Sequence, residues 1–334
     1  MSQRVLCFGE ALWDLSPDGE MLGGAPLNLG YRLHCLGQEC CMISRLGQDD
    51  YGRRALEKID AMGMDRSLIQ QDADHPTGTV PVKFDEKGVP DFTILPDVAY
   101  DYIDMNAILE QAAIAADCLC FGTLIQRAPQ SRNTLASLLS LAKECNNALL
   151  FLDLNLRKDC YTRATVEASL EKADLVKLSD EEMETLTSMF GLEANDDPDR
   201  LREIQERWKL QSAVVTYGEK GAIAMDGTGE WVYDPGYEVQ VVDTCGSGDA
   251  FSAGFLYGIL KEWPLEEACA LGNILGAICA TQAGGTAPMS WEDVREFGKM
   301  ERARITLDER SASHWSNNRS NWKWLQSNQG EKND

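Results

Sequence analysis

The sequence predicts an α/β protein, in which a mostly parallel sheet is covered by helices on both faces and carries a small β lid. Short apolar runs, which are typical of buried strands, alternate with helical patterns over most of the chain. Strands separated by helices of this length predict βαβ units, and such units build parallel sheets. Two segments without an intervening helix interrupt the alternation, and they predict the lid.

Each predicted strand is a short apolar run, and the six strands cover residues 4–8, 41–46, 118–121, 149–152, 175–178 and 213–216. The helices are predicted from the segments between and after these strands, at residues 26–36, 51–62, 130–144, 165–172, 181–190 and 199–208. Gly37 and Gly63 directly follow the first two helices, as expected of glycines that end a helix in the left-handed conformation.

The lid is predicted from residues 11–24, which contain the turn signature Ser-Pro-Asp-Gly, and from residues 76–100, which hold a hairpin with Gly88 in its turn. We expect a single domain over residues 1–310, into which these lid segments are inserted. Residues 311–334 are rich in Ser, Asn and Gln but also hold three tryptophans. Their composition predicts a surface-bound or disordered tail and not a second domain.

The charge and the cysteines of the chain restrict its partners and its compartment. The net charge of −23 disfavours nucleic acid and anionic membrane surfaces as partners, because both would be repelled. The sequence contains no run of about 18 apolar residues, so it predicts no membrane span. Its first residues lack the succession of charged, apolar and small residues that is typical of a secretory signal. Eleven cysteines without a CxxC pair indicate reduced thiols, so we expect a soluble cytoplasmic protein. Three histidines are too few to favour a multi-histidine metal site.

Residues 237–260 carry the most informative pattern of the chain. Alternating apolar residues predict a strand that ends at Val242, and a Gly-rich turn then leads into an apolar helix. The unpaired backbone N–H groups of residues 246–248 would attract an anion at this helix start. Asp249 follows in the first helical turn, where an ionised carboxylate can accept a proton from a hydroxyl. An anion-binding turn beside a base favours phosphoryl transfer to an alcohol.

A structural alternative stays open for this turn, in which Asp249 only complements the helix dipole of a tight strand–helix connection. A dinucleotide-binding fingerprint fails, because Phe251 stands where its third glycine belongs. The sequence also lacks the GxxxxGK[ST] pattern of P-loop proteins.

A second candidate site lies at the start of the first predicted helix. Gly23 and Gly24 permit close approach of a ligand to the backbone, and Pro26 suits a first helical position. Asn28 offers both a donor and an acceptor, as a pair of sugar hydroxyls requires. Taken alone, the same residues would also suit a plain helix entry.

The two motifs together resemble a known family. Residues 243–255 resemble the C-terminal signature of the ribokinase/fructokinase (PfkB) sugar kinases, and residues 23–47 resemble their N-terminal signature. GEALWD at 9–14 and DLNLR at 153–157 are similar to fructokinases. The resemblance implies a ribokinase-like three-layer α/β/α sandwich. The chain departs from the family where Gly30 replaces a residue that is usually Ala, Ser or Thr, and where Ser179 replaces a frequent Asn.

The resemblance also implies roles for the residues that match the family motifs. Asp249 would be the catalytic base, and the anion hole would be formed by the backbone of Gly246, Ser247 and Gly248. The residues implied to hold the sugar are Asp14, Gly24, Asn28, Gln126 and Arg157. Those implied to hold ATP are Ser179, Thr216, Gly218, Gly221 and Asn273. The implied ion sites are Glu182, through water on Mg²⁺, and Asp243 with the backbone of residues 283–286 on a monovalent cation, K⁺.

Structural interpretations stay open beside several of these roles. Ser179 and Glu182 also match the S-x-x-E pattern of a capping box. Asp14 could be a turn residue, and Arg157 could pair with a surface carboxylate. Asp243 could simply end its strand and bond nearby amides. The glycines of the helix that carries Asn273 could serve only to let two helices pack closely.

Together with the resemblance, these observations predict an ATP-dependent sugar kinase that uses Mg²⁺. The resemblance implies K⁺ as a further ion. Fructose is the favoured acceptor, and another ketose, a pentose, a sugar acid or a nucleoside is the alternative. A non-catalytic sugar-binding regulator of the same fold is a hypothesis from a different class, which an assay of turnover with Mg-ATP would separate. A dinucleotide-dependent oxidoreductase is the third hypothesis. For the quaternary structure, a homodimer is kept as a hypothesis.

Overall fold

A computed structural model describes residues 3–17, 19–84, 90–315 and 322–326 of the chain. Its strands are β1 (Arg4–Phe8), β2 (Leu12–Ser16), β3 (Gly19–Gly23), β4 (Glu39–Gly47), β5 (Ile69–Asp72), β6 (Gly78–Phe84), β7 (Pro90–Phe92), β8 (Cys118–Phe121), β9 (Leu149–Asp153), β10 (Leu175–Ser179), β11 (Ser212–Thr216), β12 (Ala222–Asp226), β13 (Trp231–Asp234), β14 (Gly236–Tyr237) and β15 (Arg304–Ile305). Its helices are α1 (Ala25–Cys35), α2 (Asp50–Ala61), α3 (Ala107–Ile114), α4 (Pro129–Asn146), α5 (Arg163–Lys172), α6 (Asp180–Phe190), α7 (Asp197–Trp208), α8 (Ser247–Leu260), α9 (Leu265–Ala280), α10 (Trp291–Lys299), α11 (Glu309–Ser313) and α12 (Lys323–Gln326).

The main sheet contains nine strands in the order β13-β12-β11-β10-β9-β8-β1-β4-β5. All neighbours from β11 to β5 run parallel, and Leu6 of β1 lies opposite Cys41 of β4 and Leu119 of β8. β12 and β13 add antiparallel pairs at one edge. The prediction of a mostly parallel sheet is therefore confirmed. The carboxyl ends of its parallel strands point to one side of the molecule, where ligands bind in open α/β sheets.

Helices cover both faces of this sheet. Successive residues of a strand point to opposite faces, so they pack against different helices. Val5 and Cys7 belong to one apolar cluster with α1, α2, α8, α9 and α10. Leu6 and Phe8 belong to a second cluster with the helices from α3 to α7. The predicted three-layer α/β/α arrangement is confirmed by this division.

Buried sulfur accounts for the departure from the family at Gly30. A Cβ atom on Gly30 would lie 3.2 Å from Cys40 Sγ and 3.3 Å from Cys7 Sγ. Both thiols are buried beneath α1, and their sulfur atoms lie 3.5 Å apart. The two thiols thus fill the space that the side chain of a larger residue would need.

Four further strands form a separate sheet in the order β3-β2-β6-β7, which we call the lid sheet. β2 pairs antiparallel with β3 and parallel with β6, and Asp14 lies in the middle of both pairings. β3 ends at Gly23, so the lid sheet runs directly into the helix that carries Asn28. The predicted turn at Gly88 lies outside the described residues.

The strand predicted to end at Val242 is shorter in the structure. β14 contains two residues and pairs with β15 alone, so the ladder ends at Tyr237. The following residues form an irregular segment, in which Val241 and Val242 are 58% and 62% exposed. Their alternating apolar pattern is typical of a strand, but no strand in the described part of the chain lies beside them to continue the pairing.

The C-terminal residues that the structure describes pack against the helices. Trp322 and Trp324 are buried, and Trp324 stacks on Trp263 with 5.4 Å between the ring centroids. Leu325 lies against Gly298 of α10, where an added Cβ would be 2.6 Å from its Cδ1 atom. The aromatic residues therefore attach this part of the tail to the core, despite its polar composition. Among the described helices, none is long and apolar enough to cross a membrane.

We expect Trp324→Ala to lower the free energy of unfolding by about 3 kcal/mol, because it removes a buried ring and its stacking partner loses its contacts. Urea unfolding monitored by far-UV circular dichroism would measure the change. Ile108→Ala is the control, because Ile108 is 63% exposed and should leave stability nearly unchanged. Equal midpoints for the Trp324 variant and the unaltered chain would contradict the packing described here.

Candidate active site

The candidate site lies at the carboxyl ends of the central strands, where the N-termini of α1 and α8 meet. Asp249, in the first turn of α8, accepts a hydrogen bond of 2.7 Å from Asn28 Nδ2 of α1. Asp153, the last residue of β9, pairs with Lys177 of β10 at 3.2 Å. Residues from all three thirds of the chain therefore contribute to one site.

The ionisation of Asp249 is set by opposing effects. Burial raises the pKa of its carboxyl to about 6, and the charge of Asp153 adds to the rise. The Asn28 hydrogen bond and the charges of Lys177 and Arg157 oppose it and keep this pKa below neutrality. At pH 7 the group is mostly a carboxylate, yet it is more basic than an exposed aspartate, which suits a general base.

The turn before α8 has a backbone that requires glycine. Gly246 has a φ of 76°, in the left-handed region, and a Cβ atom there would lie 2.4 Å from the Cα atom of Gly285. Within the described residues, no side chain caps the N-terminus of α8. We call residues 246–248 the anion turn. The N–H group of Ser247 donates to the carbonyl oxygen of Thr244 at 3.1 Å, which does not agree with its predicted role in an anion hole. Among the described residues, the N–H groups of Gly246 and Gly248 have no such partner, so they are the ones available to an anion.

Asp243 connects the anion turn to the segment that follows α9. Its Oδ1 atom accepts a hydrogen bond of 2.9 Å from the N–H of Cys245, and its Oδ2 atom accepts one of 2.9 Å from the N–H of Gly284. The structural alternative of a residue that bonds nearby amides is therefore realised. The same bonds also hold residues 283–286 beside the anion turn.

Asp14 and Asn28 form the sugar side of the candidate site. A Cβ atom on Gly23 would lie 3.1 Å from Asp14 Oδ2 and 3.8 Å from Asn28 Oδ1, so both side chains converge on this glycine. Asn28 Oδ1 is buried and has no hydrogen-bond partner among the described residues. Gly24 has a φ of 114° and packs against the carbonyl of Glu10, where a Cβ would be 2.3 Å from the oxygen. The free acceptor of Asn28 is thus ready for a hydroxyl.

The other two predicted sugar ligands differ in position, because Arg157 lies near the site and Gln126 is bonded to residues outside it. Arg157 is exposed, but its charge lowers the pKa values of Asp14 and Asp249, so it lies near the site. Gln126 is buried, and its Nε2 atom donates to the carbonyl of Gly122 and to Ser169 Oγ. These bonds give Gln126 a structural role, and the structure does not bring it into contact with Asp14 or Asn28.

The predicted nucleotide residues lie at the ends of β10 and β11 and on α9. Ser179 and Thr216 are paired across the last positions of the two strands. Gly218 opens the short turn that follows β11, at a φ of 55°. Gly221 ends it with a φ of 89°, and a Cβ there would be 2.1 Å from the carbonyl oxygen of Asp234. Asn273 Nδ2 donates to both the carbonyl and the carboxylate of Asp234, each at 2.8 Å, so its amide nitrogen is already engaged.

Glu182 forms the capping box that its spacing predicts. Glu182 Oε2 accepts from the N–H of Ser179 at 2.7 Å, and Ser179 Oγ accepts from the N–H of Glu182 at 3.2 Å. Glu182 Oε1 accepts from the N–H of Leu156 at 2.7 Å. The carboxylate therefore connects α6 to the loop after β9, and burial raises its pKa.

Lys177 is a site residue that the sequence analysis missed. Burial by itself would lower its pKa, but the carboxylates of Asp153, Glu182 and Asp249 outweigh that effect and raise it, so Lys177 stays charged. A Cβ atom on Gly248 would lie 3.3 Å from Lys177 Nζ, which places the ammonium beside the anion turn. A lysine inside the apolar run of a buried strand was the available signal, because a buried charge needs a reason.

The fold and its separate lid sheet define a ribokinase-like α/β protein. The family model described as pfkB family carbohydrate kinase matches residues 3–292, and the chain belongs to that family. Fructokinase-1 from Oryza sativa subsp. japonica is 30% identical to it over 320 residues, which cover 87% of this chain and 96% of the relative.

Two solved fructokinases have similar structures. The enzyme from Vibrio cholerae O395, in a fructose-, ADP- and calcium ion-bound form, is 26% identical with a TM-score of 0.76, over 88% of this chain and 98% of that chain. The enzyme from Xylella fastidiosa with bound ATP has a TM-score of 0.78 at 21% identity, over 89% of this chain and 98% of that chain, which shows a common fold.

Glu10 is a further buried carboxyl beside the site, and its pKa predicts a pH-dependent stability. Burial raises that pKa to about 7, and its Oε1 atom accepts a bond of 3.2 Å from the N–H of Ala25. Because the folded pKa of Glu10 exceeds its unfolded one, the contribution of Glu10 to folding stability falls as pH rises from about 4 to 7. We expect Glu10→Gln to stabilise the protein by about 3 kcal/mol at pH 8 and hardly at all below pH 4. Urea unfolding at several pH values would measure this, and a gain that does not depend on pH would contradict it.

Proposed function

We propose that the chain transfers a phosphoryl group from ATP to a hydroxyl of a small sugar, with fructose as the favoured acceptor. The observation that carries this proposal is the position of Asp249. Its half-buried carboxylate is bonded to Asn28 and follows directly after an uncapped helix start that is suited to an anion. A base and an anion site within one helical turn are what phosphoryl transfer to an alcohol requires.

In this mechanism, Asp14 and Asn28 hold sugar hydroxyls and orient the acceptor towards the anion turn. The carboxylate of Asp249 takes the proton of the reacting hydroxyl, whose oxygen forms the new bond to the γ-phosphorus of ATP as the bond to ADP breaks. The backbone N–H groups of Gly246 and Gly248 donate to the phosphoryl oxygens, and the charge of Lys177 lies beside them. Fixed donors of this kind stabilise developing negative charge without reorganisation.

A magnesium ion fits this site as a companion of the nucleotide. The described residues contain no group of three or more His, Cys, Asp or Glu that could hold a metal ion by themselves. Mg²⁺ is commonly held by substrate phosphates, with one or two carboxylates and water completing its shell. We assign Glu182 to that role through water, because both of its carboxylate oxygens already accept backbone N–H bonds. The ion would supply positive charge to the phosphates in a protein whose net charge is −23.

The acceptor is inferred from similarity and from the sugar side of the site. The similar chains from Oryza sativa and Vibrio cholerae are named fructokinases, and the second was solved with fructose. Another ketose, a pentose, a sugar acid or a nucleoside is the alternative acceptor. The non-catalytic alternative is disfavoured, since Asp249 and the anion turn are both intact.

A coupled ADP-release assay across fructose, ribose, tagatose, ketodeoxygluconate, inosine and adenosine would test the proposal. We expect fructose to give the highest kcat/KM. Asp249→Asn should lower kcat by about 10²–10⁴-fold and leave binding of sugar and ATP nearly intact, because the amide keeps the shape but cannot accept the proton. Turnover of the variant within threefold of the unaltered chain would remove Asp249 as the base. ADP release that no acceptor stimulates would remove the kinase proposal.

We also propose a monovalent cation beside the anion turn, at Asp243 and the backbone of residues 283–286. The two hydrogen bonds of Asp243 already hold these segments together, and a cation there would order the glycine-rich backbone further. We expect K⁺ to raise kcat several-fold over Na⁺ or Tris⁺ at equal ionic strength. The control is the KM for the sugar, which should change little. Equal rates in all three ions, with an active preparation, would contradict the cation site.

A further inference from the structure

Arg32, in the third turn of α1, is among the most deeply buried large side chains of the protein. It is 1% exposed. A guanidinium remains charged at every physiological pH, so this position keeps a full positive charge out of water. Removing a charge from water is costly unless another charge compensates for it. The burial of Arg32 therefore calls for a physical reason.

The contacts of Arg32 do not neutralise its charge. Its Nη1 atom donates to the carbonyl oxygen of Ala287, and its Nη2 atom lies 3.5 Å from Cys279 Sγ. Its Nε atom is buried without a hydrogen-bond partner. Across residues 3–17, 19–84, 90–315 and 322–326, no Asp or Glu lies within ion-pair distance of the guanidinium. The positive charge is thus unpaired.

Three connections place this charge behind the anion turn. Arg32 follows Asn28 by four residues, so both side chains lie on the same face of α1, and Asn28 bonds to Asp249. Cys279, which contacts Nη2, donates from its Sγ atom to the carbonyl oxygen of Cys245 at 3.6 Å. Ala287 lies two residues after Gly285, whose backbone packs against Gly246.

We propose that Arg32 is a positioning residue of the phosphoryl-transfer site, whose unpaired guanidinium holds residues 284–287 against the anion turn and supplies a permanent positive charge behind it. This inference rests on the proposed kinase function. The residue acts through the backbone that it holds and through its field, and it does not touch the substrate.

The charges around the site explain why such a residue is useful. Asp14, Asp153, Asp243 and Asp249 all lie at or beside the site, and the reaction brings in the phosphates of ATP. Lys177 is the other buried cation there, but Asp153 is paired with it at 3.2 Å. A positive charge that is fixed before the reaction stabilises the transferring phosphoryl group without any rearrangement. An unpaired arginine can therefore contribute to catalysis at a cost in folding stability.

That difference between activity and stability provides the test. Arg32→Met keeps much of the volume but removes the charge, and replacement of a buried charge by an apolar group is often neutral or stabilising. We expect Arg32→Met to lower kcat about tenfold while the melting temperature stays equal or rises, with the KM for the sugar within about threefold. Arg32→Gln keeps a hydrogen-bond donor without a charge, so its kcat should fall as much as that of Arg32→Met. Arg32→Lys keeps the charge and should retain more activity than Arg32→Gln.

Arg45→Met is the matched control. Arg45 pairs with buried Asp72 at 2.7 Å and lies outside the site, so its loss should lower the melting temperature and leave kcat unchanged. A melting temperature that falls for Arg32→Met as it does for Arg45→Met would show a structural role only and overturn the inference. Equal activity of the Lys and Gln variants would also overturn it. If the unaltered chain phosphorylates no sugar, the proposed function fails and the inference about Arg32 fails with it. If the unaltered chain is active, the Arg32 variants test the inference by itself.

Discussion

The close packing of α8 against α1 and α9 is the constraint on which the site depends, because it places Asp249 of α8 within hydrogen-bond distance of Asn28 of α1. A Cβ atom on Gly254 would lie 2.8 Å from the carbonyl oxygen of Leu271, and one on Gly258 would lie 2.6 Å from Ala268 Cβ. Gly272 of α9 faces the ring of Phe251 in the same way, at 2.9 Å. The small residues bring the helix axes together, so the start of α8 cannot move without disturbing the core.

Because the helix starts are rigid, the site can keep several carboxyl groups close together and away from water. The carboxyl groups of Asp14 and Asp249 both have pKa values of about 6, which burial raises. In a mobile loop, such groups would turn towards water and recover their ordinary acidity. Because the helix starts are fixed, the carboxylates stay desolvated, and the charge of Lys177 acts on Asp249 at constant distance.

The sequence predicts the sheet, both helical layers and the anion turn, because each depends on local periodicity or on glycine. It does not predict where the strand near Val242 ends, since an alternating apolar pattern forms a strand only where a neighbouring strand is present to pair with it. Lys177 and Glu10 were missed because their importance arises from carboxylates that are distant in sequence. Gln126 matched the family, but its partner Ser169 lies on a helix that only the tertiary fold brings near.

The two helical layers also differ in which parts of the sequence form them. The helices from α3 to α7 come from one uninterrupted stretch between Ala107 and Trp208, whereas the other layer joins α1 and α2 to α8, α9, α10 and Trp324. During synthesis, the first layer can close as soon as its own stretch has emerged from the ribosome. The second layer must wait for α8, which starts at Ser247, so the apolar face of α1 stays uncovered for most of translation. The nascent chain therefore exposes apolar surface that the folded protein covers.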